Sequence, residues 1–387
     1  MGKYVPPCTH YPNCVGCPWI HRPYPEQLER KRQRLTEALA VYPNLMNLEI
    51  PEVEPSPRRL GYRARIKLVV GKAKREILTG LYYPRSHRVV DISSCAVHPK
   101  QVNSVLKYLK RQIIALEIEP YNEKNDSGDL RYIDLRYSFS RRKVSVTLVT
   151  RHARFDRGEE LARALNRRFS FVSGVIQNIN ETRGNVIWGE RFRTLAGRDS
   201  VEEKIGFLKL KLPAGVFSQA NPWVAEKIYR TTVALGELTG HETGLDLYCG
   251  VGPLSLFMAT HCDIVWGIDE NPLSISAAKQ NAKINGIHNC RFFAGNVAGA
   301  IRQARDRLPK IDLILCNPPR KGLQPDALDA ILAANPFRIL YVACDPTTLA
   351  RDLHRLAGHG YRVTSLRPFD MFPQTEEVET VVRLDKS

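Results

Sequence analysis

The sequence lacks any uninterrupted apolar run approaching the roughly 20 residues that a membrane-spanning helix needs. Its first residues, MGKYVPPCTHYPNC, also lack the apolar stretch of a signal peptide. These two absences predict a cytoplasmic protein that has no membrane partner. With 387 residues, of which 43% are hydrophobic, the chain is long enough to bury the cores of at least two domains.

Acidic residues are scarce: 57 Lys and Arg face 40 Asp and Glu, which gives a formal net charge of +17. Such an excess favours a polyanionic partner, because basic side chains release counterions from a phosphate backbone. The excess is concentrated in residues 56–111, where fourteen Lys or Arg stand against two acids. Interleaved aromatic residues suit base stacking, and they are Tyr62, Tyr82, Tyr83 and Tyr108. The stretch predicts an RNA-binding face, with a solvated basic face as the alternative.

The hydrophobic pattern changes along the chain. Residues 1–23 are rich in Cys, Pro, His and Tyr without periodicity, which predicts a leader that is held by a ligand. Residues 24–224 mix short strand-like runs with helices and predict a mixed α+β domain. In residues 225–387, strands such as LDLYC, VWGID and DLILCN alternate with helices. This alternation predicts a doubly wound, Rossmann-like α/β domain.

A glycine turn follows the first strand of that α/β domain. Gly250 and Gly252 let the backbone approach a ligand at the carboxyl edge of the sheet, and Asp269 ends the next strand, where it can accept ribose hydroxyls. The third glycine of a dinucleotide-binding turn is missing, because Ser255 stands in its place. The pattern therefore favours S-adenosylmethionine over NAD. The alternative is a tight turn beside a carboxylate that faces solvent.

A cysteine and a glutamate near the C-terminus suit uridine chemistry. Carbon 5 of uracil becomes nucleophilic only after a thiolate adds to carbon 6, and a base must then remove the carbon 5 proton. Cys344 lies between a strand and a helix, where we expect a lowered pKa, and Glu379 begins the last strand. The alternatives are a buried apolar cysteine and a solvent-facing glutamate, as expected for Glu376 and Glu377.

Four further cysteines form a ligand-like set: Cys8, Cys14 and Cys17 are closely spaced, and Cys95 follows much later. Four thiolates can hold zinc or a [4Fe-4S] cluster. Spacing alone does not choose between them, although zinc sites more often pair two CxxC units and three cysteines with a distant fourth are more typical of the cluster. Free thiols are the remaining alternative.

Taken together, these motifs resemble those of the bacterial and archaeal RNA uracil-C5 methyltransferases, which methylate transfer RNA and 23S ribosomal RNA. The matching motifs are FSQANP, LDLYCGVGPLSL, GIDENPLSI, NPPRKGL, YVACDPTTLARDL and DMFPQT with VET. The resemblance implies that Cys344 is the nucleophile and Glu379 the base. It also implies contacts to S-adenosylmethionine from Gln219, Tyr248, Asp269 and Asn317. The family more often has Ser and Asn where Ala343 and Asp345 flank the nucleophile here.

The resemblance further implies a [4Fe-4S] cluster, since similar members carry one. Such members often begin with a small β-barrel, which we do not expect here because Cys8 lies almost at the N-terminus. That makes the sequence most similar to the type that methylates the uridine at position 747 of 23S ribosomal RNA. A transfer RNA T-loop uridine and another 23S uridine are alternatives, and so, from other classes, are a non-catalytic iron–sulfur RNA-binding protein and a NAD-dependent oxidoreductase. We expect a monomer.

Overall fold

The computed structural model describes residues 5–74, 76–184, 186–308 and 310–387. Two compact units divide the chain. Unit 1 comprises Met1–Arg22, Arg58–Lys204 and Lys211–Gly215, and unit 2 comprises Pro23–Pro57, Ile205–Leu210 and Val216–Ser387. The first four residues of the predicted leader lie outside the described part. No helix within that part is long and apolar enough to cross a membrane.

Unit 1 contains a seven-stranded sheet in the order β3-β2-β1-β4-β5-β6-β7. Only β5 and β6 pair in parallel there; the other neighbours are antiparallel. The strands are β1 (Arg65–Ala73), β2 (Glu76–Tyr82), β3 (Val89–Asp91), β4 (Leu130–Ser138), β5 (Lys143–Thr150), β6 (Val172–Ile179) and β7 (Arg191–Gly197), and the helices are α2 (Lys100–Ala115) and α3 (Gly158–Arg168). Strands β8 (Ser200–Ile205) and β9 (Leu208–Pro213) form a separate two-stranded sheet.

The core of unit 1 lies between this sheet and its helices. The apolar face of α2, which includes Val105 and Leu109, is fully buried in one hydrophobic cluster with Leu161 and Leu165 of α3. The i, i+4 spacing of both pairs places them on one side of each helix. The structure therefore confirms the predicted mixed α+β region.

Unit 2 contains a second seven-stranded sheet, in the order β12-β11-β10-β13-β14-β16-β15. Its strands are β10 (Thr243–Leu247), β11 (Ile264–Asp269), β12 (Cys290–Ala294), β13 (Leu313–Cys316), β14 (Arg338–Ala343), β15 (Tyr361–Phe369) and β16 (Glu379–Lys386). The helices are α1 (Tyr24–Ala40), α4 (Pro222–Gly236), α5 (Pro253–Ala259), α6 (Pro272–Ile284), α7 (Val297–Arg307), α8 (Pro325–Ala334) and α9 (Pro346–Ala357).

The topology of this sheet locates a binding crevice. Strands β10 to β14 are parallel, and β16 is antiparallel to both of its neighbours. The chain winds outward from β10 to β12 and then returns to the other side of β10 at β13. Ligands of doubly wound folds bind outside the carboxyl ends of strands at such a switch point. The predicted α/β fold is thus confirmed, and this fold class predicts a ligand site at the carboxyl ends of β10 and β13.

Helix α1 differs from the predicted domain division, which placed residues 24–57 in the central domain. Leu35 and Leu39 are fully buried in the same hydrophobic cluster as Leu349 and Leu353 of α9. Helical periodicity identifies the apolar face of a helix but not the core that receives it, so this assignment needed the structure.

Candidate functional site

The turn that follows β10 is built from left-handed backbone. Tyr248, Gly250 and Gly252 have φ angles of 63°, 57° and 85°. A non-glycine residue rarely adopts such a φ, and the strain often marks a functional turn. A Cβ on Gly250 would meet no heavy atom within 4 Å, whereas one on Gly252 would lie 3.0 Å from the Phe292 ring. Gly252 thus permits close packing, and Gly250 leaves open space above the turn.

Asp269 at the end of β11 is held by this turn. Its Oδ2 accepts a hydrogen bond from the Gly250 N–H at 2.9 Å, and its Oδ1 accepts one from the Asn271 N–H at 2.9 Å. Two backbone donors fix the carboxylate, while each oxygen retains a lone pair for a further donor. This geometry fits the role predicted for Asp269, since a fixed acceptor at a strand end can receive the hydroxyls of a ribose.

Asp246, inside β10, was given no role by the sequence reasoning. The residue is fully buried, and its Oδ2 accepts a hydrogen bond from the Ser255 hydroxyl at 2.5 Å. Its Oδ1 has no hydrogen-bond partner within the described part of the chain. Burial raises the pKa of this carboxyl to about 7. The sequence signal for this residue is a single acidic residue within the otherwise apolar strand LDLYC. Its hydrogen-bond donor is Ser255, which stands in the place of the third glycine.

Two other predicted cofactor contacts lie on loops of unit 2. Asn317 is half-buried and follows β13, and its N–H donates to the Leu247 carbonyl at the end of β10, at 3.3 Å. Gln219 is half-buried in the loop before α4. That loop is anchored by Asn221, whose Oδ1 caps α4 and whose Nδ2 donates to the Met371 carbonyl at 3.2 Å.

Cys344 and Glu379 end up at the same edge of the sheet. Ala343, the last residue of β14, pairs with Thr380 of β16. The next residue along each strand in that direction is Cys344 on one and Glu379 on the other. The antiparallel register therefore brings together two residues that are 35 positions apart in the sequence. Asp345 then caps α9 by accepting a hydrogen bond from the Thr348 N–H at 2.9 Å, so this departure from the family pattern still caps the helix.

The protonation behaviour of this pair differs from expectation. Burial, and then the charge of Glu379, raises the pKa of the Cys344 thiol to about 12, while Arg320 opposes the shift. The predicted lowering of that pKa is wrong, because desolvation outweighs the position before a helix. Burial raises the pKa of the Glu379 carboxyl to about 7, with Glu377 adding to the shift. A carboxyl with that pKa suits general-base work near neutral pH.

Glu377 was predicted to be a solvated residue, and the structure shows it half-buried and paired with Arg320. Its side chain is 22% exposed, and its Oε1 accepts a hydrogen bond from Nη2 of Arg320 at 2.6 Å. Arg320 lies in the NPPRKGL loop that follows β13. Because its partner is 57 positions away in the sequence, the local pattern could not reveal the pair.

The four cysteines predicted as metal ligands all belong to unit 1 and are free and partly buried. Burial and the charge of Cys95, followed by those of other thiols in the set, raise the pKa of Cys17 to about 12. The structure thus brings the thiols within electrostatic range. Among residues 5–74, 76–184, 186–308 and 310–387, however, no group of three or more His, Cys, Asp or Glu side chains is arranged to hold a metal ion. The predicted ligand set Cys8, Cys14, Cys17 and Cys95 therefore does not have metal-binding geometry.

The basic stretch 56–111 has two kinds of side chain. Some serve the fold: Tyr62 is fully buried, and Arg65 pairs with the buried Asp134 at 2.8 Å. Others face solvent, among them Arg85 and Arg88. Arg88 lies over the ring of the exposed Tyr83, with its Cζ 4.5 Å from the ring centroid. Tyr62 therefore cannot stack on a base, and the solvent-facing members remain the candidates for RNA contact.

Comparison with known proteins agrees with this geometry. Residues 23–387 match the family described as tRNA (uracil-5-)-methyltransferase. The chain belongs to this family. It is 38% identical over 98% of its length to an uncharacterized RNA methyltransferase of Geobacter sulfurreducens, of which it covers 77%. It is also 36% identical over 98% of its length to one from Clostridium acetobutylicum, of which it covers 84%.

A solved structure supports the same conclusion. The tRNA (uracil-54, C5)-methyltransferase of Pyrococcus abyssi, in complex with S-adenosyl-L-homocysteine, is 30% identical with a TM-score of 0.77 over 96% of this chain and 84% of its own. The chain is therefore an RNA methyltransferase of the uracil-5 family, and unit 2 has the fold of S-adenosylmethionine-dependent methyltransferases.

Proposed function

We propose that this enzyme transfers a methyl group from S-adenosylmethionine to carbon 5 of a uridine in RNA, through a covalent adduct of Cys344. The observation that carries the proposal is the β14–β16 register, which places Cys344 and Glu379 at one sheet edge. This chemistry needs one thiolate and one base beside the same ring. Burial raises the pKa of Glu379 to about 7, which suits a base that acts near neutral pH.

Each residue then has a distinct role. The Cys344 thiol first gives up its proton to solvent. Its sulfur then forms a bond to carbon 6 as the carbon 5–carbon 6 π bond opens, which makes carbon 5 a carbanion equivalent. Carbon 5 gains the methyl group, which S-adenosylmethionine supplies as an electrophile when it is bound; the sulfur–methyl bond breaks, and S-adenosylhomocysteine is the leaving group. Glu379 next takes the carbon 5 proton, the carbon 5–carbon 6 double bond re-forms, and the thiolate leaves. Arg320 is the nearby cation whose charge favours the thiolate form.

The methyl donor fits the turn after β10. Open space above Gly250 admits a ligand, and the fixed carboxylate of Asp269 can accept ribose hydroxyls. Tyr248, Asn317 and Gln219 complete the proposed contact set. The Pyrococcus abyssi relative, which was solved with S-adenosyl-L-homocysteine, supports this choice of cofactor.

The proposed substrate is a uridine of 23S ribosomal RNA, at the position that the sequence resemblance implies. The Pyrococcus abyssi relative acts on uracil-54 of transfer RNA, which supports transfer RNA as the second candidate. RNA from a strain that lacks this gene should accept tritiated methyl groups from S-adenosylmethionine when the purified protein is added. Label in 23S RNA supports the first candidate, and label in transfer RNA the second. We also propose that the protein is cytoplasmic and that it is a monomer.

The proposal also includes a [4Fe-4S] cluster on Cys8, Cys14, Cys17 and Cys95, with zinc as the alternative. The spacing of these cysteines and the family resemblance support it, and all four thiols are free and partly buried. No step of the reaction depends on it. Protein purified without oxygen should be brown and contain iron and acid-labile sulfide, whereas colourless protein with stoichiometric zinc would overturn the assignment.

Trapping the adduct tests the catalytic roles. Glu379→Gln should stall after methyl transfer, because the carbon 5 proton stays in place. The expected result is a denaturation-resistant protein–RNA band that requires S-adenosylmethionine. Cys344→Ala in the same background should erase the band while cofactor binding survives. A 5-fluorouridine substrate should trap the unmodified enzyme, since fluorine cannot leave as a proton.

Cys262→Ala serves as the matched control. Cys262 is a buried thiol of unit 2 whose sulfur lies 3.8 Å from a Cβ built on Gly244, near the amino end of β10. This variant should turn over normally. Rapid turnover by Glu379→Gln, or RNA linked to another cysteine, would disprove the proposed mechanism.

A further inference from the structure

The segment that leads to Glu379 has an unusual backbone. Residues 370–378 connect β15 to β16, and Glu379 is the first residue of β16. Within this connection, Gln374 has a φ of 73° and is 3% exposed. A buried non-glycine residue in the left-handed region costs free energy, about 1 kcal/mol or more, and persists only where neighbouring groups fix it.

Gln27 of α1 binds both the backbone and the side chain of Gln374. The Gln374 N–H donates to Oε1 of Gln27 at 2.9 Å, and Nε2 of Gln27 donates to Oε1 of Gln374 at 2.9 Å. Gln27 is 1% exposed. Reciprocal bonds in a dry environment fix the strained residue more firmly than a single bond would.

Lys31 lies four residues later, on the same face of α1, and holds the start of the connection. Its Nζ donates to Oδ1 of Asp370 at 2.5 Å and to the Phe372 carbonyl at 3.0 Å. Oδ2 of Asp370 accepts a hydrogen bond from the Tyr24 hydroxyl at 2.7 Å. The side chains of Lys31 and Asp370 are both 0% exposed. Burying such a pair costs desolvation and is weak evidence of a stabilising role, so a role in positioning explains it better.

These contacts continue to the catalytic edge. The Phe372 carbonyl also accepts a hydrogen bond from the Thr375 hydroxyl at 2.8 Å, and the Thr375 hydroxyl accepts one from the Glu377 N–H at 3.3 Å. Glu377 in turn binds Arg320 at 2.6 Å. The connection held by α1 therefore orients the acidic residue beside Glu379 and leads directly into Glu379 itself.

We infer that Gln27 and Lys31 are positioning residues for the proton-removal step, acting through residues 370–377. Neither residue touches the reacting atoms. The inference rests on the proposed role of Glu379 as the base. It assigns a function in catalysis to a helix that lies outside the methyltransferase motifs of the sequence.

The test separates adduct formation from adduct release in a single turnover. Gln27→Leu roughly keeps the volume of the side chain and removes both hydrogen bonds that the Gln27 side-chain amide makes to Gln374. Adduct should form at nearly the unmodified rate, whereas its release should slow by on the order of 100-fold, the effect of a misplacement near 1 Å. The adduct should therefore accumulate on a denaturing gel, and the affinity for S-adenosylmethionine should not change. Gln27→Glu, which keeps the acceptor, should recover part of the release rate.

Gln33→Leu is the matched control, because Gln33 lies on the exposed side of α1. Within the described part of the chain, the Gln33 side chain hydrogen-bonds only to Glu37. It should behave as the unmodified enzyme. The double variant Lys31→Met/Asp370→Asn removes both buried charges together, so that neither is left unpaired, and should also slow release. If these variants lose activity only in proportion to the unfolded fraction, with a normal ratio of adduct to product, the inference is wrong. If Glu379→Gln itself accumulates no adduct, the proposed base is wrong instead.

Discussion

The turn after β10 in unit 2 and the four thiols of unit 1 are built in opposite ways. The turn takes its shape from backbone angles, with φ of 63°, 57° and 85° at Tyr248, Gly250 and Gly252, and from backbone bonds to Asp269. The thiols are near one another, but the described residues do not present them in metal-binding geometry. A site made from backbone geometry is complete in the chain alone. A site made from thiolates acquires its geometry from the ligand that they share.

The catalytic edge resembles the turn in this respect. Strand register places Cys344 beside Glu379, and Asp345 caps α9 directly after the nucleophile. Burial by the chain alone raises the pKa of Glu379. Unit 2 thus has its polar site groups arranged by covalent connectivity and packing, so changes to the thiols of unit 1 should leave them intact.

Removal of one thiol should give the largest effect. In unit 1, Asn103 of α2 bonds to the backbone of Cys95 in both directions, at 2.9 and 3.0 Å. If a cluster links the leader to Cys95, its free energy of binding is part of the folding free energy of unit 1. Cys95→Ser should therefore destabilise unit 1 by several kcal/mol, on the order of the 2 to 5 kcal/mol typical of lost covalent cross-links. Amide hydrogen exchange should rise in α2 but not in α6.

The control for that measurement is Cys262→Ala, which removes a buried thiol from unit 2. It should leave exchange in α2 unchanged. Equal loss of protection in α2 and α6 after Cys95→Ser would contradict the independence of the two sites. Unchanged protection in both would mean that the thiols share no ligand.

A smaller effect should come from the buried base. The pKa of Glu379 is raised from 4.5 to about 7 in the folded state. A raised pKa contributes stability that is fully present below pH 4.5 and is lost as the pH rises through about 7. Relative to Glu379→Gln, the unmodified protein should therefore lose about 3 kcal/mol of unfolding free energy between pH 4 and pH 8. Urea unfolding at both pH values measures this, with Glu376→Gln, at an exposed site, as the control. A pH-independent difference would mean that the base is not buried as described.

Particular residues explain how far the sequence predicts these features. The glycine turn, Asp269 and the order of Cys344 and Glu379 follow from residue types at strand ends, where the fold dictates which side chains meet. Three features depend on distant neighbours instead. The pairing of Glu377 depends on Arg320, which is distant in the sequence, and the pKa of Cys344 depends on the packing around the thiol. The place of α1 depends on which core accepts Leu35 and Leu39. Local periodicity contains none of this information.

The smallest and sharpest test compares two glycines of unit 2. Gly250 and Gly286 have φ angles of 57° and 66°, and a Cβ on either would meet no heavy atom within 4 Å. Alanine at either position should therefore cost a similar backbone strain, about 1 kcal/mol. The two positions differ in whether the open space beside the glycine is proposed to hold a ligand. Above Gly250 it is the proposed place of S-adenosylmethionine, whereas Gly286 follows α6, away from the strand ends that frame the crevice.

Gly250→Ala should consequently weaken S-adenosylmethionine binding by roughly tenfold, equivalent to about 1.4 kcal/mol, because the added methyl group occupies cofactor space. Gly286→Ala should lower the melting temperature to the same degree and leave the affinity unchanged. Calorimetric titration and thermal unfolding of both variants separate the two effects. Equal affinities would mean that the cofactor does not approach the backbone at Gly250, and the turn after β10 would then be a structural feature rather than a binding site.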